Sequence, residues 1–328
     1  MIKDVMTMAS LIVSHFPNVR QNESLADKTT FGVGGRALGY LLVRSPEELW
    51  AAVSEARRHK LHYLVIAGGS NAVFGDELYR GLVIHYLNPE GEIKVAAGEV
   101  SCEAGVPLAR LIEVAMSAGL AGMETLSGIP GTVGGALVGN AGAYGQCISD
   151  HLVAVQIFDP VAAERGGGKI EWITKEQGAF AYRDSVFKKN DWLVLRARFQ
   201  LASGDPTTLH QKSREIIALR EKKYAPGLRC PGSFFKNVLV KKVSKKSLAL
   251  VDQSKIIEGK IPSGYLLQAA GACGLREGGA VVADFHGNLI INEGEASYDD
   301  VRELAKRLKG LVKERFGIKL EEEVRYML

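Results

Sequence analysis

The stretch SGIPGTVGGALVGNAGAYG, residues 127–145, combines glycine with apolar residues in an unusual proportion. Seven of its nineteen residues are glycine, and isoleucine, valine, leucine, alanine and tyrosine lie between them. Such a segment is too apolar for a flexible linker and too rich in glycine for an ordinary helix. Glycine allows a close approach to the backbone, so the segment is predicted to bind something along its main chain.

Two further glycine loops, TTFGVGG at 29–35 and AGGSNAV at 67–73, precede this stretch. Successive backbone N–H groups in such loops can bind phosphate oxygens. A tight turn explains any one of the loops equally well, but three within about 120 residues favour an extended phosphorylated ligand. None continues as Gly-Lys-Ser/Thr, and GVGGRALG opens a strand-like segment instead of a helix. The pattern therefore favours a dinucleotide held by loops.

Outward from these loops, the chain is predicted to form three segments, 1–88, 89–218 and 219–328. The first contains a helix, a strand, a second helix capped by Ser45, and a strand that leads into AGGSNAV. The second is rich in strands, two of them joined by a Gly-rich turn in AAERGGGK. The third ends with a helix from Ser297 to Gly317 and a half-buried final strand.

Composition excludes several classes of protein. The 328 residues are 46% hydrophobic and carry a net charge of only +4, which argues against a nucleic-acid partner and is compatible with an anionic small molecule. The four cysteines form no CxxC pair and the histidines have no metal spacing, so neither a disulfide framework nor a metal site is predicted. We expect no signal peptide and no membrane insertion, and hence a cytoplasmic protein.

Three short motifs carry residues suited to catalysis. CPGSFFKN places Ser233 in a Pro-Gly turn, although a lone serine is a poor acid and a surface turn explains the motif as well. AYRDSVF contains Arg183, which can grip a carboxylate through two hydrogen bonds or simply lie at the surface. Glu323 stands among three consecutive glutamates, where a solvated charge is the simplest interpretation.

Together the motifs resemble one family. GMETLSGIPGTVGGALVGNAGAYG, preceded by TTFGVGG and AGGSN and followed by YRDS, GSFFKN and EEEVR, is similar to the UDP-N-acetylenolpyruvoylglucosamine reductases from about residue 25 to the end. The resemblance implies an α+β fold with a two-part FAD-binding domain of the vanillyl-alcohol-oxidase (PCMH) type. Residues 1–88 and 89–218 would be its two subdomains. Residues 219–328 would form an α+β substrate-binding domain whose last strand returns to the active site.

The same resemblance implies a reaction in which NADPH reduces FAD and the flavin reduces the enolpyruvyl ether of a UDP-sugar during peptidoglycan precursor synthesis. Ser233 would donate a proton to the substrate carbon, while Arg183 and Glu323 polarise its carboxylate and stabilise the enol. Another FAD-dependent oxidoreductase of the superfamily, acting on a sugar or a hydroxy acid, is the main alternative. A non-catalytic nucleotide-sugar binding protein is the third hypothesis.

Residues are assigned to ligands by the same resemblance. The expected FAD contacts are Gly68, Gly69, Ser70, Asn71, Ser127, Gly128, Ile129, Gly131, Thr132, Gly134, Asn140, Gly142 and Ala143. The expected substrate contacts are Tyr182, Lys236, Asn237 and Gln268. Cations that either hold the diphosphate or form a solvated helix face are Arg220, Lys222, Lys223 and Arg229. About fifty residues separate Arg183 from Ser233, which favours the shorter family form without a substrate-closing loop, and a monomer is expected.

Overall fold

The computed structural model describes residues 2–162 and 169–328, so the predicted Gly-rich turn at 163–168 lies outside the described residues. The helices in chain order are α1 (Ile2–His15), α2 (Pro46–Arg58), α3 (Leu108–Ser117), α4 (Val133–Gly139), α5 (Pro160–Ala162), α6 (Pro206–Glu221), α7 (Lys245–Leu248), α8 (Ser263–Ala269) and α9 (Tyr298–Phe316).

The strands in chain order are β1 (Arg20–Ser24), β2 (Arg36–Val43), β3 (Tyr63–Ile66), β4 (Ala72–Phe74), β5 (Tyr79–Tyr86), β6 (Ile93–Ala96), β7 (Glu99–Glu103), β8 (Leu120–Ala121), β9 (Gly142–Ala143), β10 (Gln146–Cys147), β11 (Leu152–Asp159), β12 (Lys169–Thr174), β13 (Leu193–Gln200), β14 (Ala202–Ser203), β15 (Val238–Leu239), β16 (Lys260–Ile261), β17 (Arg276–Glu277), β18 (Ala280–Val282), β19 (Ile290–Asn292) and β20 (Arg325–Met327). Helices and antiparallel strands thus mix throughout, as in an α+β protein.

The chain divides into two compact units, each with its own hydrophobic core. Unit 1 comprises Met1–Glu23, Ala37–Gly68 and Arg80–Lys222. Unit 2 comprises Ser24–Arg36, Gly69–Tyr79 and Lys223–Leu328. Two short N-terminal segments therefore pack with the C-terminal part of the chain. The division expected from the sequence, 1–88, 89–218 and 219–328, groups residues by the ligand that they would bind and not by packing. It stays a prediction.

Unit 1 contains two main sheets. One has the order β1-β2-β5-β3, with β3 and β5 parallel, and the other has the order β12-β11-β13-β7-β6, with antiparallel neighbours. Helix α2 connects β2 to β3, and its predicted N-cap is confirmed because the Ser45 hydroxyl accepts a hydrogen bond from the Glu48 N–H. Leu49 and Val53 of α2 are buried in the unit 1 core.

The glycine-rich stretch contains a helix, so the expectation that it would not be helical is wrong for α4. The Thr132 side chain caps the first turn, and Asn140, with φ +43°, ends the helix in the left-handed conformation. Tight packing favours the glycine at Gly134, since a Cβ there would lie 3.0 Å from the Ala104 Cβ and 3.1 Å from its carbonyl oxygen. Close contact with a neighbouring segment thus offsets the poor helix propensity of glycine.

Unit 2 is built around α9 and the sheet β17-β18-β19. The predicted bounds of α9 are confirmed, with Ser297 as N-cap and Gly317, φ +65°, at its end. The predicted strand after Gly317 is mostly wrong, because only β20 forms. Its partner β4 is three residues long, and upstream of β20 the chain makes an isolated bridge from Glu322 to Phe235 instead. Among the described helices, none combines the length and apolarity needed to cross a bilayer.

Candidate active site

Two of the three predicted glycine loops meet within unit 1. A Cβ added at Gly68 would lie 2.7 Å from the Gly131 Cα, which is closer than a real Cβ can approach. Gly131 has φ +108° and Gly128 has φ +74°, values that side chains other than glycine rarely adopt. The two main chains are therefore in direct contact, and they present backbone groups where other residues would present side chains.

The hydroxyl groups of this segment serve the fold. Ser127 is buried and its Oγ accepts a hydrogen bond of 2.8 Å from the Ser213 hydroxyl of α6. Thr132 caps α4, and Ile129 packs against the unit 1 core. Backbone groups therefore have to carry most contacts with a ligand at this segment. One cation is close, since the Arg220 Cδ and Nε atoms would each lie 3.2 Å from a Cβ at Gly128.

The β9–β10 hairpin follows the helix. Gly142 pairs with Cys147, and Ala143 pairs with Gln146. A Cβ at Gly142 would lie 2.6 Å from the Gln146 carbonyl oxygen, so this glycine is required by strand pairing. Both Gly142 and Ala143 are half-buried, which leaves part of their backbone open to a ligand.

Asn140 has a buried acceptor that no described residue satisfies. The side chain is 5% exposed, and its Nδ2 donates a 2.9 Å hydrogen bond to the Ala181 carbonyl oxygen. Its Oδ1 has no hydrogen-bond partner among the described residues. An unsatisfied buried acceptor costs about 1–3 kcal/mol, so a donor from a bound molecule at this position would be stabilising.

We expect Asn140→Gly to weaken flavin binding by about tenfold. The change removes both the hydrogen bond from Nδ2 to the Ala181 carbonyl oxygen and the buried Oδ1 acceptor. Glycine keeps the left-handed backbone without strain, so the side chain alone is tested. Titration of apoprotein with FAD, followed by flavin fluorescence, measures the effect. Asn22→Gly is the matched control, since Asn22 also has positive φ, at +55°, but is exposed on β1. Equal FAD affinity in both variants would contradict the assignment.

Arg183 sits on a tight turn tied to the end of α4. The Ala181 and Asp184 backbones exchange two hydrogen bonds, of 2.9 and 3.1 Å, across the turn. Arg183 itself has φ +54°, an uncommon conformation for arginine that recurs at functional sites. The buried Ser185 hydroxyl donates to the Val138 carbonyl oxygen at 2.8 Å and so fixes the turn to α4. A hydrogen bond from Lys189 lowers the pKa of Asp184, which keeps this carboxylate charged.

The Arg183 guanidinium lies 5.7 Å from the Tyr182 ring centroid, within cation–π range, and both side chains are half-buried. The stretch from Asp184 to Gly232 is occupied mainly by β13, β14 and α6, which agrees with the shorter form expected from the sequence. Arg183 and its neighbour Tyr182, an expected substrate contact, belong to unit 1, whereas the other two predicted catalytic residues, Ser233 and Glu323, belong to unit 2.

Ser233 is anchored by its buried neighbours, so the surface-turn interpretation of CPGSFFKN is wrong. Phe234 and Phe235 are 0% and 1% exposed in the unit 2 core. Asn288, which is also buried, accepts from the Phe235 N–H and donates to its carbonyl oxygen, each at 2.8 Å, and its own carbonyl accepts from the Phe234 N–H. Asn288 is not among the residues predicted from the sequence, where its local signal is the tight turn HGN.

Glu323 lies beside the same segment. Its N–H donates a 2.8 Å hydrogen bond to the Phe234 carbonyl oxygen, one residue from Ser233. The Asn71 side chain donates from Nδ2 to the Glu323 carbonyl oxygen at 3.0 Å. Its backbone carbonyl oxygen accepts from the Arg325 N–H, also at 3.0 Å. Asn71 therefore orients Glu323 through its side-chain amide. A backbone contact with FAD from this residue stays a prediction.

The TTFGVGG loop and the part of AGGSNAV from Gly69 onward pack within unit 2. A Cβ at Gly69 would lie 1.8 Å from the Lys28 carbonyl oxygen, and the Ser70 carbonyl oxygen is 3.5 Å from the Thr30 hydroxyl. In TTFGVGG, Gly32 has φ +68° and a Cβ there would approach the Arg229 Nε to 2.9 Å. Close backbone packing therefore requires glycine at Gly69, whereas at Gly32 the positive φ favours glycine and the Arg229 side chain could move aside.

Of the expected substrate contacts in unit 2, Lys236 forms an ion pair with Glu321. Asn237 accepts from the Ser263 N–H at 3.2 Å and thereby supports the start of α8. Gln268 is exposed near the end of α8, with no role in the core. The exposed amide of Gln268 is thus open to a ligand, whereas Lys236 and Asn237 already have partners.

His286, between α8 and the buried Asn288, is held neutral. Burial, reinforced by the charge of Lys223, lowers its pKa from 6.5 to about 4. Its Nδ1 accepts from the Asn288 N–H at 3.2 Å, and its ring lies against Gly264 of α8. A neutral ring is what this hydrogen bond needs, since a protonated Nδ1 cannot accept.

We expect the free energy of unfolding to fall as pH drops from about 6.5 to about 4, because the unfolded chain then binds a proton that the folded His286 refuses. Above pH 6.5 both states are neutral and the full contribution of His286 is present. His286→Asn should flatten this part of the profile, since an amide oxygen accepts the same bond without titrating. Urea unfolding from pH 4 to 8 measures it. Parallel profiles for the two proteins would contradict this role.

One group of side chains could be taken for a metal site. His15 Nδ1 and His59 Nε2 lie 3.2 and 3.0 Å from the same Glu55 oxygen. The two rings are stacked, however, with centroids 3.5 Å apart and planes 24° from parallel. An ion must lie near the plane of each ligating ring, so the rings would have to turn before both nitrogens could bind it. In this arrangement the Glu55 carboxylate is hydrogen-bonded to His59 and lies within ion-pair distance of His15.

Comparison with known proteins gives two family matches. Residues 37–162 match the FAD binding domain family. Residues 224–327 match the C-terminal domain of UDP-N-acetylenolpyruvoylglucosamine reductase. The first range holds the Gly68–Gly131 contact and the second holds Ser233 and Glu323.

Whole-chain similarities agree with these matches. A UDP-N-acetylenolpyruvoylglucosamine reductase of Solibacter usitatus is 38% identical over 314 residues, 95% of this chain and 98% of that protein. The protein of the same name from Carboxydothermus hydrogenoformans is 38% identical over 93% of each chain. The crystal structure of the Thermus caldophilus reductase has a TM-score of 0.71 and 30% identity, covering 94% of this chain and all of that one.

Proposed function

Because the chain belongs to the UDP-N-acetylenolpyruvoylglucosamine reductase family of FAD-binding oxidoreductases, we propose that it reduces UDP-N-acetylenolpyruvoylglucosamine to UDP-N-acetylmuramate with NADPH as electron donor. The predicted family and the predicted fold, an FAD-binding domain of the PCMH type followed by a substrate-binding domain, are confirmed. The product is a precursor of peptidoglycan, so the reaction serves cell-wall growth, cell shape and division in the cytoplasm. We further propose that the enzyme acts as a monomer.

The residues present fit FAD. Main chain at Gly68 and Gly131 carries no side chain that would keep a ligand away, and the buried Asn140 Oδ1 accepts no hydrogen bond from any described residue. We propose that these groups hold the flavin, together with backbone at Gly128 and Gly142. When bound, FAD supplies the hydride that the protein itself cannot provide.

The chain supplies charge stabilisation and a proton. Hydride addition to the terminal carbon of the enolpyruvyl group leaves negative charge spread towards the substrate carboxylate. Arg183 is proposed to bind that carboxylate through its guanidinium fork, which offsets the charge. Glu323 is proposed to orient the enol, and Ser233 to transfer its hydroxyl proton to the carbanionic carbon. This transfer breaks the serine O–H bond and forms a C–H bond on the product.

One observation carries the catalytic assignment. The hydrogen bond from the Glu323 N–H to the Phe234 carbonyl oxygen joins the two motifs that sequence separates by ninety residues, GSFFKN and EEEVR. It supports joint action of Ser233 and Glu323 on one substrate. Tyr182, Lys236, Asn237 and Gln268 are proposed to contact the sugar nucleotide.

Anaerobic mixing of the FAD-loaded enzyme with NADPH and then with substrate tests the proposal. We expect the flavin absorbance in the blue to fall on the first addition and to recover on the second. Recovery with UDP-N-acetylenolpyruvoylglucosamine but not with UDP-N-acetylglucosamine would show that the enolpyruvyl group is the electron acceptor. Recovery with a free sugar or hydroxy acid would favour the alternative oxidoreductase, and a protein that binds no FAD would refute both.

A further inference from the structure

The Ser233 hydroxyl has a hydrogen-bond partner that the motifs do not reveal. The Tyr224 hydroxyl lies 2.9 Å from the Ser233 Oγ, nine residues earlier in the chain. Phe234, Phe235 and Asn288 hold the serine only through the backbone around it, whereas Tyr224 acts on the hydroxyl itself. Tyr224 is not among the site residues predicted from the sequence, and it lies outside the motifs that carry the family resemblance.

The tyrosine is held in place by packing. Its ring contacts a small buried cluster formed by Cys230, Ala283 and Leu289. The Lys223 ammonium lies 5.0 Å from the ring centroid, within cation–π range. The hydroxyl is therefore oriented by a packed ring.

We propose that Tyr224 is a positioning residue that donates a hydrogen bond to the Ser233 oxygen and returns a proton to it after each turnover. An alkyl alcohol is a weak acid, so a serine that protonates carbon must be left as an alkoxide unless a second group supplies a proton. A phenol is a much stronger acid than an alkyl alcohol, and the transfer from Tyr224 is downhill. This proposal rests on the proposed proton transfer from Ser233.

The relay balances with water as the final source of the proton. The Ser233 O–H bond breaks as the C–H bond of the product forms. The Tyr224 O–H bond then breaks as the serine O–H bond re-forms, and the phenolate recovers its proton from water. Because the two hydroxyl oxygens already lie 2.9 Å apart, no rearrangement of the protein is needed for the second transfer.

Tyr224→Phe tests the relay in the FAD-loaded enzyme, since it removes the hydroxyl and keeps the ring packing. We expect reduction of the flavin by NADPH at the wild-type rate and reoxidation by substrate slowed by about 10- to 100-fold. The slowed step should also show a larger solvent deuterium isotope effect, which a loss of packing would not produce. Tyr265→Phe is the matched control, because its hydroxyl accepts from the Asp252 N–H and has no other hydrogen-bond partner among the described residues.

A double variant separates failure of this proposal from failure of the proposed function. If Ser233→Ala reoxidises at the wild-type rate, the role of Ser233 itself is refuted. If Ser233→Ala is slow and Tyr224→Phe is as fast as wild type, the relay is wrong and the role of Ser233 stands. If the two effects multiply in Ser233→Ala/Tyr224→Phe, Tyr224 acts independently of the serine and the relay is overturned. We expect the double variant to equal Ser233→Ala alone.

Discussion

Ser233→Ala is expected to reduce turnover by about 1,000-fold, the middle of the range for loss of a general acid. Reduction of the flavin by NADPH should proceed at the wild-type rate, since that step needs no proton from the serine. The fold is retained because Phe234, Phe235 and Asn288 are joined through backbone groups that the substitution does not touch. Stopped-flow absorbance resolves the two half-reactions.

A serine control shows that the loss is specific. Ser254→Ala removes an exposed hydroxyl whose one hydrogen-bond partner within residues 2–162 and 169–328 is the Asp252 carboxylate, and it should leave both half-reactions unchanged. Thermal unfolding of Ser233→Ala should match wild type within a few degrees. If both half-reactions of Ser233→Ala run normally, the proton donor is another group.

Gly68→Ala is expected to yield protein that retains little FAD. The added Cβ would lie 2.7 Å from the Gly131 Cα, a clash between two main chains that no side-chain rotation relieves. Separating them costs about 1–3 kcal/mol, which corresponds to about a 100-fold loss of affinity at the upper end if it falls on the cofactor-bound state. Flavin absorbance per mole of purified protein and titration with added FAD measure the loss.

Gly135→Ala provides a control in the same glycine-rich stretch. A Cβ there would lie 3.6 Å from the Thr132 hydroxyl oxygen, which is ordinary contact, and Gly135 is exposed. Alanine is the better helix former by about 1 kcal/mol, so this variant should keep FAD and melt at a slightly higher temperature. A flavin content that is equally reduced in both variants would show that close contact at Gly68 is not the cause.

Local signals predicted the helices that carry their own caps. Ser45 before α2, and Ser297 and Gly317 around α9, were predicted from neighbouring residues and are confirmed. Such caps depend on hydrogen bonds three or four residues apart, which the sequence displays directly. Helix α4 has caps of the same kind in Thr132 and Asn140, but its glycine content outweighed them in the prediction.

Long-range contacts were beyond the sequence. Asn71 was expected to contact FAD, yet its amide holds the Glu323 carbonyl oxygen, 252 residues away. Asn288 and Tyr224 lie in segments without any catalytic motif, and only folding brings them to the GSFFKN segment. An asparagine or tyrosine in a loop has no periodicity or spacing that would indicate its partner.

Sequence alone was sufficient for the family and the α+β fold, because glycine loops and short polar motifs keep their order along the chain. It also predicts the candidate catalytic residues. Tertiary structure was needed to show which glycines are required and why. Gly68 and Gly134 leave room for other main-chain segments. The stretch from 127 to 145 therefore contains the helix α4 and also segments that present backbone groups instead of side chains. A glycine in the sequence indicates that another part of the molecule or a ligand approaches the main chain there. Which segment approaches it depends on how residues far apart in sequence fold together.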